Sequence, residues 1–334
     1  MAEAVTVELD AQYRQLREEC GLVDRSDRGK LLVTGAEAAE YLQGQLTNDI
    51  EGLGVGEGCY AALLDRKGHM QADMRVLNCS GALYVGIGGI KRTGSEGGQE
   101  LWLDTEPEPL AAVRKHLETY KIGRDVEVED VTAGRAILSL IGPRSAEVAG
   151  SPPLPQHASV ELTVAGSECL AVGAALGIDL IAASEDAERL RAALLDAGAA
   201  EVAPEAAEIL RIETGTPRFG AEMDSSTMPA EAGIVEAAVD FEKGCYIGQE
   251  TVARLHYMGK PNRHLRGLRL GAPAPAGTAL RLGDREVGRL GGSCVSPAHG
   301  PIALAILRRE AEPGAELAVG EDGVTARVVD LPFG

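Results

Sequence analysis

The chain has 334 residues, of which 45% are hydrophobic and 25% are charged, a composition typical of a folded globular protein with two or three domains. Its formal net charge of −19 argues against broad binding to a nucleic-acid backbone, which needs clustered cations, so we expect no direct nucleic-acid partner. The N-terminus lacks the basic and apolar regions of a signal peptide, and no apolar run of about 18 residues predicts a membrane span. We therefore expect a cytoplasmic protein that has no membrane contact.

Two stretches in the N-terminal two thirds of the chain share one design, an apolar run that ends in glycine and is followed by helical spacing. The first covers residues 31–35 and then 36–46, and the second covers 138–142 and then 143–148. Gly35 and Gly142 stand 107 residues apart, as do Ala39 and Ala146. This offset predicts two related α+β halves that arose from one duplicated unit.

The remaining elements are predicted from local patterns. Short β-like runs cover 59–64, 71–77 and 83–87, and helices are predicted at 107–120, 184–198 and 205–212. Ser184 is the predicted N-cap of its helix, whose leucine stripe should face a sheet. From about Asn262 onward, short alternating segments separated by turns predict a small antiparallel barrel-like domain.

The six cysteines lie far apart without a C-x-x-C pair: Cys20, Cys59, Cys79, Cys169, Cys245 and Cys294. This spacing disfavours a zinc ribbon or a permanent iron–sulfur ligand set, and we expect reduced thiols and no bound metal.

One segment, 251–270, contains five cations and no acidic residue: Arg254, Lys260, Arg263, Arg266 and Arg269. In a protein this acidic, such a basic segment would attract a small polyanion, although it would also serve as an ordinary solvated surface.

The most specific motif is Lys-Gly-Cys-Tyr-Ile-Gly-Gln-Glu at 243–250, which places Cys245 between two glycines and beside Lys243. Glycines weaken helices and strands and let a backbone approach a ligand closely, so the segment is typical of a site. A nearby lysine and a following helix N-terminus would favour the Cys245 thiolate as a nucleophile, redox sensor or transient metal ligand. The structural alternative is a buried thiol at a strand-to-helix turn.

This motif closely resembles the KGCYxGQE signature of the YgfZ family, folate-binding proteins linked to iron–sulfur cluster maintenance and related to the glycine-cleavage T-protein. Further segments resemble T-protein motifs and follow the same order along the chain. These segments are residues 42–49, 68–76, 211–215, 219–223 and 228–232. The resemblance implies an α+β, T-protein-like folate-binding fold of two related halves plus a C-terminal antiparallel β-barrel. The implied domains are 1–135, 136–261 and 262–334.

The resemblance also implies a tetrahydrofolate, or a one-carbon derivative of it, as the cofactor. Asp73 matches an aspartate that faces the reactive nitrogens of the folate in the transferring relatives, where a carboxylate can move a proton. Its structural alternative is an ion pair with Arg75 or Arg66. Asp179 matches the acid that binds the pterin, because one carboxylate can accept two adjacent N–H groups. Its alternative is an exposed strand acid.

The full set of predicted site residues comprises two catalytic and six cofactor-binding positions. The catalytic residues are Cys245 and Asp73, and the cofactor-binding residues are Asp179, Glu213, Arg211, Tyr246, Arg254 and Lys260. In the transferring relatives, a tyrosine and a first glutamate occupy the positions of Val172 and Ala175. Their loss puts aminomethyl transfer in doubt more than it puts folate binding in doubt.

Three functions remain open at this point. The leading one is a YgfZ-type accessory protein that binds reduced folate and iron–sulfur client or assembly proteins, and so supports tRNA modification indirectly. The alternative is an enzyme, a tetrahydrofolate-dependent aminomethyltransferase or demethylase that uses Asp73. The third is a redox-regulated interaction protein in which Cys245 forms mixed disulfides. A shared scaffold does not separate these functions.

Overall fold

The computed structural model describes residues 2–80 and 99–334, so the strand predicted at 83–87 lies outside the described residues. The chain forms two compact units whose segments alternate along the sequence. The first unit comprises Met1–Leu64, Gln71–Pro204 and Ala237–Ile247. The second unit comprises Asp65–Met70, Glu205–Glu236 and Gly248–Gly334. The three contiguous domains expected from the sequence stay a prediction.

The helices and strands are as follows. The helices are α1 (Ala2–Glu18), α2 (Ala38–Gln45), α3 (Leu110–Tyr120), α4 (Ser145–Ala149), α5 (Ala187–Asp196), α6 (Pro204–Glu213), α7 (Pro229–Ala232), α8 (Val235–Ala238) and α9 (Gln249–Met258). The first eleven strands are β1 (Gly21–Asp24), β2 (Gly29–Gly35), β3 (Gly58–Leu64), β4 (Met70–Asn78), β5 (Gln99–Thr105), β6 (Glu127–Asp130), β7 (Arg135–Ile141), β8 (Ser159–Val164), β9 (Ser167–Ala174), β10 (Gly177–Ala183) and β11 (Ala200–Glu201). The remaining strands are β12 (Arg263–Leu270), β13 (Ala279–Leu282), β14 (Arg285–Arg289), β15 (Ser293–Ser296), β16 (Gly300–Arg308), β17 (Glu316–Val319) and β18 (Val324–Val329).

The first unit is built from two sheets that pack face to face. One sheet has the order β3-β4-β5-β2-β6, and the other has the order β11-β1-β7-β10-β9-β8. Because side chains alternate along a strand, each sheet buries one face against its own helices and the other face against the opposite sheet. The apolar part of this inter-sheet layer combines residues from both sheets, namely Leu32, Leu77, Cys79, Trp102, Ile137, Leu170, Val172, Ile181 and Ala183.

The two halves of the first unit exchange their first strands. The offset of 107 residues makes β1 equivalent to β6, yet β1 pairs with β7 and β6 pairs with β2. The crossing segments make matching contacts, since the Lys30 N–H donates to Thr132 Oγ1 and the Ile137 N–H donates to Ser26 Oγ. Each sheet is therefore completed by a strand that belongs to the other repeat.

The predicted strand–glycine–helix repeat is present at both positions. Gly35 and Gly142 both have φ of +128°, a conformation that residues with a side chain rarely adopt. A Cβ atom at Gly35 would lie 2.1 Å from the Asp125 carbonyl oxygen, and one at Gly142 would lie 2.4 Å from that of Glu19. Glycine is therefore required at both turns.

The second unit contains the predicted C-terminal antiparallel sheet, in the order β14-β13-β17-β18-β12-β16-β15. Its edge strands β14 and β15 follow one another in the chain, and Gly291 and Gly292 exchange backbone hydrogen bonds with Leu304 of β16. The sheet therefore curls around its own core, to which Leu268, Leu280 and other apolar residues of all its longer strands contribute. This confirms the α+β class and the barrel-like C-terminal region.

One helix start differs from its prediction. Ser184 does not cap a helix, because its hydroxyl donates to the Ala133 carbonyl oxygen and a 3-10 turn precedes α5. The expected stripe is present, with Leu190 and Leu194 buried and Leu195 partly buried against the second sheet.

Candidate functional site

The inter-sheet layer of the first unit changes from apolar to charged along its strands. On β4, Ala72, Met74 and Val76 pack in the helix-side core, so Asp73 and Arg75 lie on the opposite, inter-sheet face. The same alternation places Asp104 of β5 and Asp179 of β10 in this layer. Side chains of both halves therefore meet here.

Arg75 joins the two halves through buried ion pairs. Its Nε donates to Asp104 Oδ2 at 2.8 Å, and its NH1 donates to Asp179 Oδ2 at 2.7 Å. Asp104 Oδ1 also accepts from Arg28 Nε at 2.9 Å, and the same guanidinium pairs with Glu106. Asp73 is therefore not the ion-pair partner of Arg75 that the structural alternative proposed.

Burial and neighbouring positive charges act in opposite directions on the pKa values of Asp104 and Asp179. Burial alone would raise the pKa of Asp104, but Arg75 and Arg28 overcome it and hold the pKa below its usual range. For Asp179, burial is likewise outweighed by Arg75, Arg25 and the Ser139 hydroxyl, and the pKa is lowered. Both carboxylates are ionised at neutral pH.

Asp73 lies in a different environment. Its Oδ2 accepts a 2.6 Å hydrogen bond from the Tyr60 hydroxyl, and Oδ1 is buried without a hydrogen-bond partner. Burial raises the pKa of Asp73, although the Tyr60 hydrogen bond and Arg28 act against the rise. Burial and the Asp73 charge raise the pKa of Tyr60 well above its usual value, so Tyr60 stays a donor. Asp73 is thus a carboxyl group suited to exchanging a proton.

Other buried polar atoms of the first unit also lack hydrogen-bond partners, and His157 Nδ1 and Ser159 Oγ are among them. His157 has φ of +68°, and burial together with Arg75 lowers its pKa to about 4, so its imidazole is neutral. Buried polar atoms normally find partners, and leaving one unpaired costs about 1–3 kcal/mol. These atoms and Asp73 Oδ1 each keep the capacity to form a further hydrogen bond.

Asp179 is buried rather than an exposed strand acid. Its Oδ1 accepts from Ser139 Oγ at 2.6 Å and its Oδ2 accepts from Arg75. Each carboxylate oxygen can accept a further hydrogen bond, so a role in binding a pterin stays a prediction. Val172, at the position of the lost tyrosine, is fully buried in the apolar part of the layer.

The Lys-Gly-Cys-Tyr segment is held by its lysine. Lys243 Nζ donates to the carbonyl oxygens of Gln43, Leu46 and Asn48 at 2.6–2.8 Å. All three donors are thereby used, so Lys243 fixes the loop to the C-terminal end of α2 instead of pairing with the Cys245 sulfur. Burial lowers the pKa of Lys243 to about 8.

Cys245 itself is exposed, whereas Cys79 and Cys169 are buried and Cys59 is half-buried. The alternative of a buried thiol at position 245 is therefore wrong. Tyr246 is buried, and its hydroxyl has no hydrogen-bond partner. The Lys243 ammonium lies 5.3 Å from the centre of the Tyr246 ring.

The other predicted site residues lie in the second unit. Arg211 is held by Glu208 at 2.7 Å and by Glu222 at 2.9 Å, while Glu213 accepts a hydrogen bond from the Ser296 hydroxyl. Arg254 on α9 and Lys260 after it are exposed. Their roles in binding a cofactor stay predictions.

Sequence reasoning gave no site role to the residues that surround Asp73 and Asp179: Arg28, Tyr60, Arg75, Asp104, Ser139, His157 and Ser159. A usable signal was present in the strands. Arg75, Asp104 and Asp179 each occupy an inward position in an otherwise apolar run, where an unpaired charge would be very costly. Such positions indicate charges that pair with one another across a buried layer.

Among residues 2–80 and 99–334 there is no group of three or more potential metal ligands, and no helix is long and apolar enough to cross a bilayer.

Comparison with known proteins places this geometry in a family context. Residues 3–243 match the family described as GCVT N-terminal domain. The chain is 29% identical to an aminomethyltransferase of Rubrobacter xylanophilus, over 97% of this chain and 86% of that protein. It is also 29% identical to an aminomethyltransferase of a Synechococcus species, over 97% and 90% of the two chains.

Among solved structures, the glycine cleavage system aminomethyltransferase T from Bartonella henselae matches with a TM-score of 0.82 at 23% identity. The match covers 98% of this chain and 89% of the other. At this identity the likeness establishes the fold alone, and it confirms the T-protein-like prediction.

Proposed function

Because the chain belongs to the GCVT N-terminal domain family, we propose that it is a tetrahydrofolate-dependent one-carbon transferase of the aminomethyltransferase type. The observation that supports this proposal is the Asp73–Tyr60 pair, in which one carboxylate oxygen is held and the other is buried and unpartnered. The relatives named aminomethyltransferase support the same chemistry.

In this proposal the residues of the first unit have separate roles. The ion pairs of Arg75 with Asp104 and Asp179 keep the two sheets in register, so the unpartnered polar atoms have fixed positions. His157 Nδ1, Ser159 Oγ and Asp73 Oδ1 would hold the folate ring. A reduced folate would supply the nitrogen that accepts the one-carbon unit. Asp73 would take up or release a proton at Oδ1 while Tyr60 keeps Oδ2 in place.

The test separates binding from turnover. Calorimetric titration of tetrahydrofolate should give a similar Kd for the wild type and Asp73→Asn, because the amide keeps the shape and one acceptor. With an aminomethylated carrier protein as donor, Asp73→Asn should lower the rate of methylenetetrahydrofolate formation by about 10²–10⁴-fold. Asp196→Asn, which changes an exposed acid at the end of α5, should leave both values unchanged. Wild-type protein that binds folate without turnover would reject the transferase.

The exposure of Cys245 in a loop held by Lys243 favours a second candidate, the YgfZ-type accessory function. In that case the protein binds reduced folate and presents Cys245 to iron–sulfur client or assembly proteins. Cys245→Ala should then keep folate binding and abolish support of iron–sulfur enzymes in cells. A Cys245→Ala strain with normal iron–sulfur enzyme activity would reject this candidate, and the transferase would keep its turnover in the same variant.

A further part of the proposal concerns the glutamate tail of the folate. We propose that Arg254 and Lys260 of the basic segment receive its glutamate carboxylates, because both cations are exposed in a strongly acidic protein. Affinity for a polyglutamylated folate should then fall more steeply with salt than affinity for a folate without the tail. Equal salt dependence for the two ligands would contradict this assignment.

A further inference from the structure

A cationic pocket lies at one end of the curled sheet in the second unit. Along β12, residues 264, 266, 268 and 270 lie on one face, and Leu268 and Leu270 of this set pack in the core of the sheet. His264 and Arg266 continue the same face toward the N-terminal end of β12. The inward face therefore changes from apolar to cationic at this end.

The space around these side chains is open enough for a ligand. Arg266 lies opposite Ala305 on β16, whose small side chain leaves room inside the curl. His264, Arg266, Lys260 and Arg309 line a pocket of about 630 Å³ together with Glu310 and Glu312. Lys260 precedes β12 and Arg309 follows β16, so both lie at the mouth of the pocket.

The positive charge in this pocket exceeds the charge of its unpaired carboxylate. Glu310 is paired with Arg285 at 2.6 Å, outside the pocket lining. Within the part of the chain that the structure describes, Arg266, Lys260 and Arg309 form no ion pair. Arg266 Nε is buried without a hydrogen-bond partner, and NH1 reaches only the Leu265 carbonyl oxygen at 3.4 Å. The buried Nε–H of this guanidinium is therefore available to donate a hydrogen bond to an anion.

We propose that this pocket binds a phosphate dianion, either free or as the phosphate group of a larger ligand. Three cations face one unpaired acid, Glu312, and a dianion would balance the difference. The planar guanidinium groups of Arg266 and Arg309 suit a tetrahedral oxyanion, which accepts two parallel hydrogen bonds from each fork. Burial and Arg266 lower the pKa of His264, so a neutral imidazole can add one further donor. The pocket shares Lys260 with the contact proposed above for the folate tail, whereas His264, Arg266 and Arg309 belong to the pocket alone.

The experiment uses the full-length protein and inorganic phosphate as the probe. Calorimetry at low ionic strength should show saturable binding that weakens about tenfold or more in Arg266→Gln and in Arg309→Gln, the factor for losing one hydrogen bond to a charged group. Arg327→Gln, which removes the same charge from the exposed surface of β18, should bind phosphate as the wild type does.

A second titration identifies the source of the phosphate. Tighter binding of a phosphate monoester such as glycerol phosphate would support the pocket as a site for a phosphorylated ligand, whereas tighter binding of inorganic phosphate would support free phosphate. If Arg266→Gln fails to fold, Arg309→Gln at the exposed mouth of the pocket still tests phosphate binding. Phosphate binding that is absent, or equal in Arg309→Gln and Arg327→Gln, would overturn the proposal, as would preference for a glutamate tripeptide.

Discussion

At the scale of single residues, Asp73 differs from the other inter-sheet carboxylates because it has a phenol as its partner instead of a guanidinium. Tyr60→Phe removes the hydrogen bond that stabilises the carboxylate, so the pKa of Asp73 should rise further. A general base acts in its ionised form, which is populated above its pKa. The acidic limb of the pH–rate profile should therefore move to higher pH in Tyr60→Phe.

The profile of kcat/KM against pH for methylene transfer measures this shift. Tyr41→Phe is a suitable control, because Tyr41 donates to the Leu117 carbonyl oxygen in the helix-side core and touches no carboxylate of the inter-sheet layer. An acidic limb that stays in place in Tyr60→Phe would show that Asp73 is not the titrating base.

The cysteines should differ strongly in reactivity. Burial raises the pKa of Cys169 to about 11 and that of Cys79 to about 12, so at pH 8 both are protonated as well as inaccessible. Cys245 is exposed and should be alkylated first. Peptide mass spectrometry after brief treatment with iodoacetamide checks this order, and modification of Cys79 or Cys169 before Cys245 would contradict it.

Some residues of the candidate site could be singled out at this scale because they lie in local motifs. Asp73, Asp179 and Cys245 stand in recognisable short patterns, and the structure finds the two acids in one buried layer. Arg75 was considered only as an ion-pair partner of Asp73, because its actual partners Asp104 and Asp179 are 29 and 104 residues away in the chain. A single sequence carries periodicity, but it does not show which inward charges meet.

At the scale of elements, the two strand–glycine–helix turns should be equally intolerant of a side chain. Gly35→Ala and Gly142→Ala place a Cβ against a backbone carbonyl and force a disfavoured φ, so each should cost about 1–3 kcal/mol of unfolding free energy. Gly134→Ala, whose nearest neighbour would lie at 3.7 Å, should be nearly neutral. Urea denaturation measures the unfolding free energy of all three variants. A Gly35→Ala protein as stable as the wild type would contradict this expectation.

Helix α2 should depend on a lysine that is about 200 residues away in sequence. Lys243→Ala leaves the carbonyl oxygens of Gln43, Leu46 and Asn48 without their donor and removes a cation from a helix C-terminus. We expect a loss of about 1–3 kcal/mol in unfolding free energy. Lys115→Ala on the exposed face of α3 should change stability by less than about 0.5 kcal/mol. Similar values for both variants would show that the Lys243 contacts contribute little.

Most elements were predictable because their signals are local. The runs around Gly35 and Gly142, the helix ending at Tyr120 and the strands after Asn262 all follow from spacing and turn residues. The pairing of β1 with β7 was not predictable, because β1 has four residues and neither its length nor its composition specifies a partner. Tertiary packing decides such pairings.

At the scale of the whole molecule, the two units interleave, so a linear cut should damage both the segment removed and the segment kept. A chain that ends at Pro261 would lose the partners of α6, since Ile212 packs with Ile302, Leu304 and Phe333. It would also lose the Phe333 N–H that donates to the Glu213 carbonyl oxygen. We expect this truncated chain to bind the dye ANS and to aggregate, because an apolar cluster becomes exposed.

Size-exclusion chromatography and ANS fluorescence compare the truncated and full-length chains. A truncated protein that is monomeric and binds no more dye than the full chain would instead favour the contiguous domain boundary near residue 261 that the sequence suggested.

The exchanged strands β1 and β6 carry a consequence for the ancestry of the first unit. A single repeat of this design would lack the strand that completes its own sheet, and only a second copy could provide it. Such an ancestor would have been a swapped homodimer, which gene duplication later joined into one chain. Two identical subunits must carry the same residue at each equivalent position. When both repeats lie in one chain, equivalent positions can carry different residues. The set of Arg75, Asp104 and Asp179 in the layer between the sheets is asymmetric in this way.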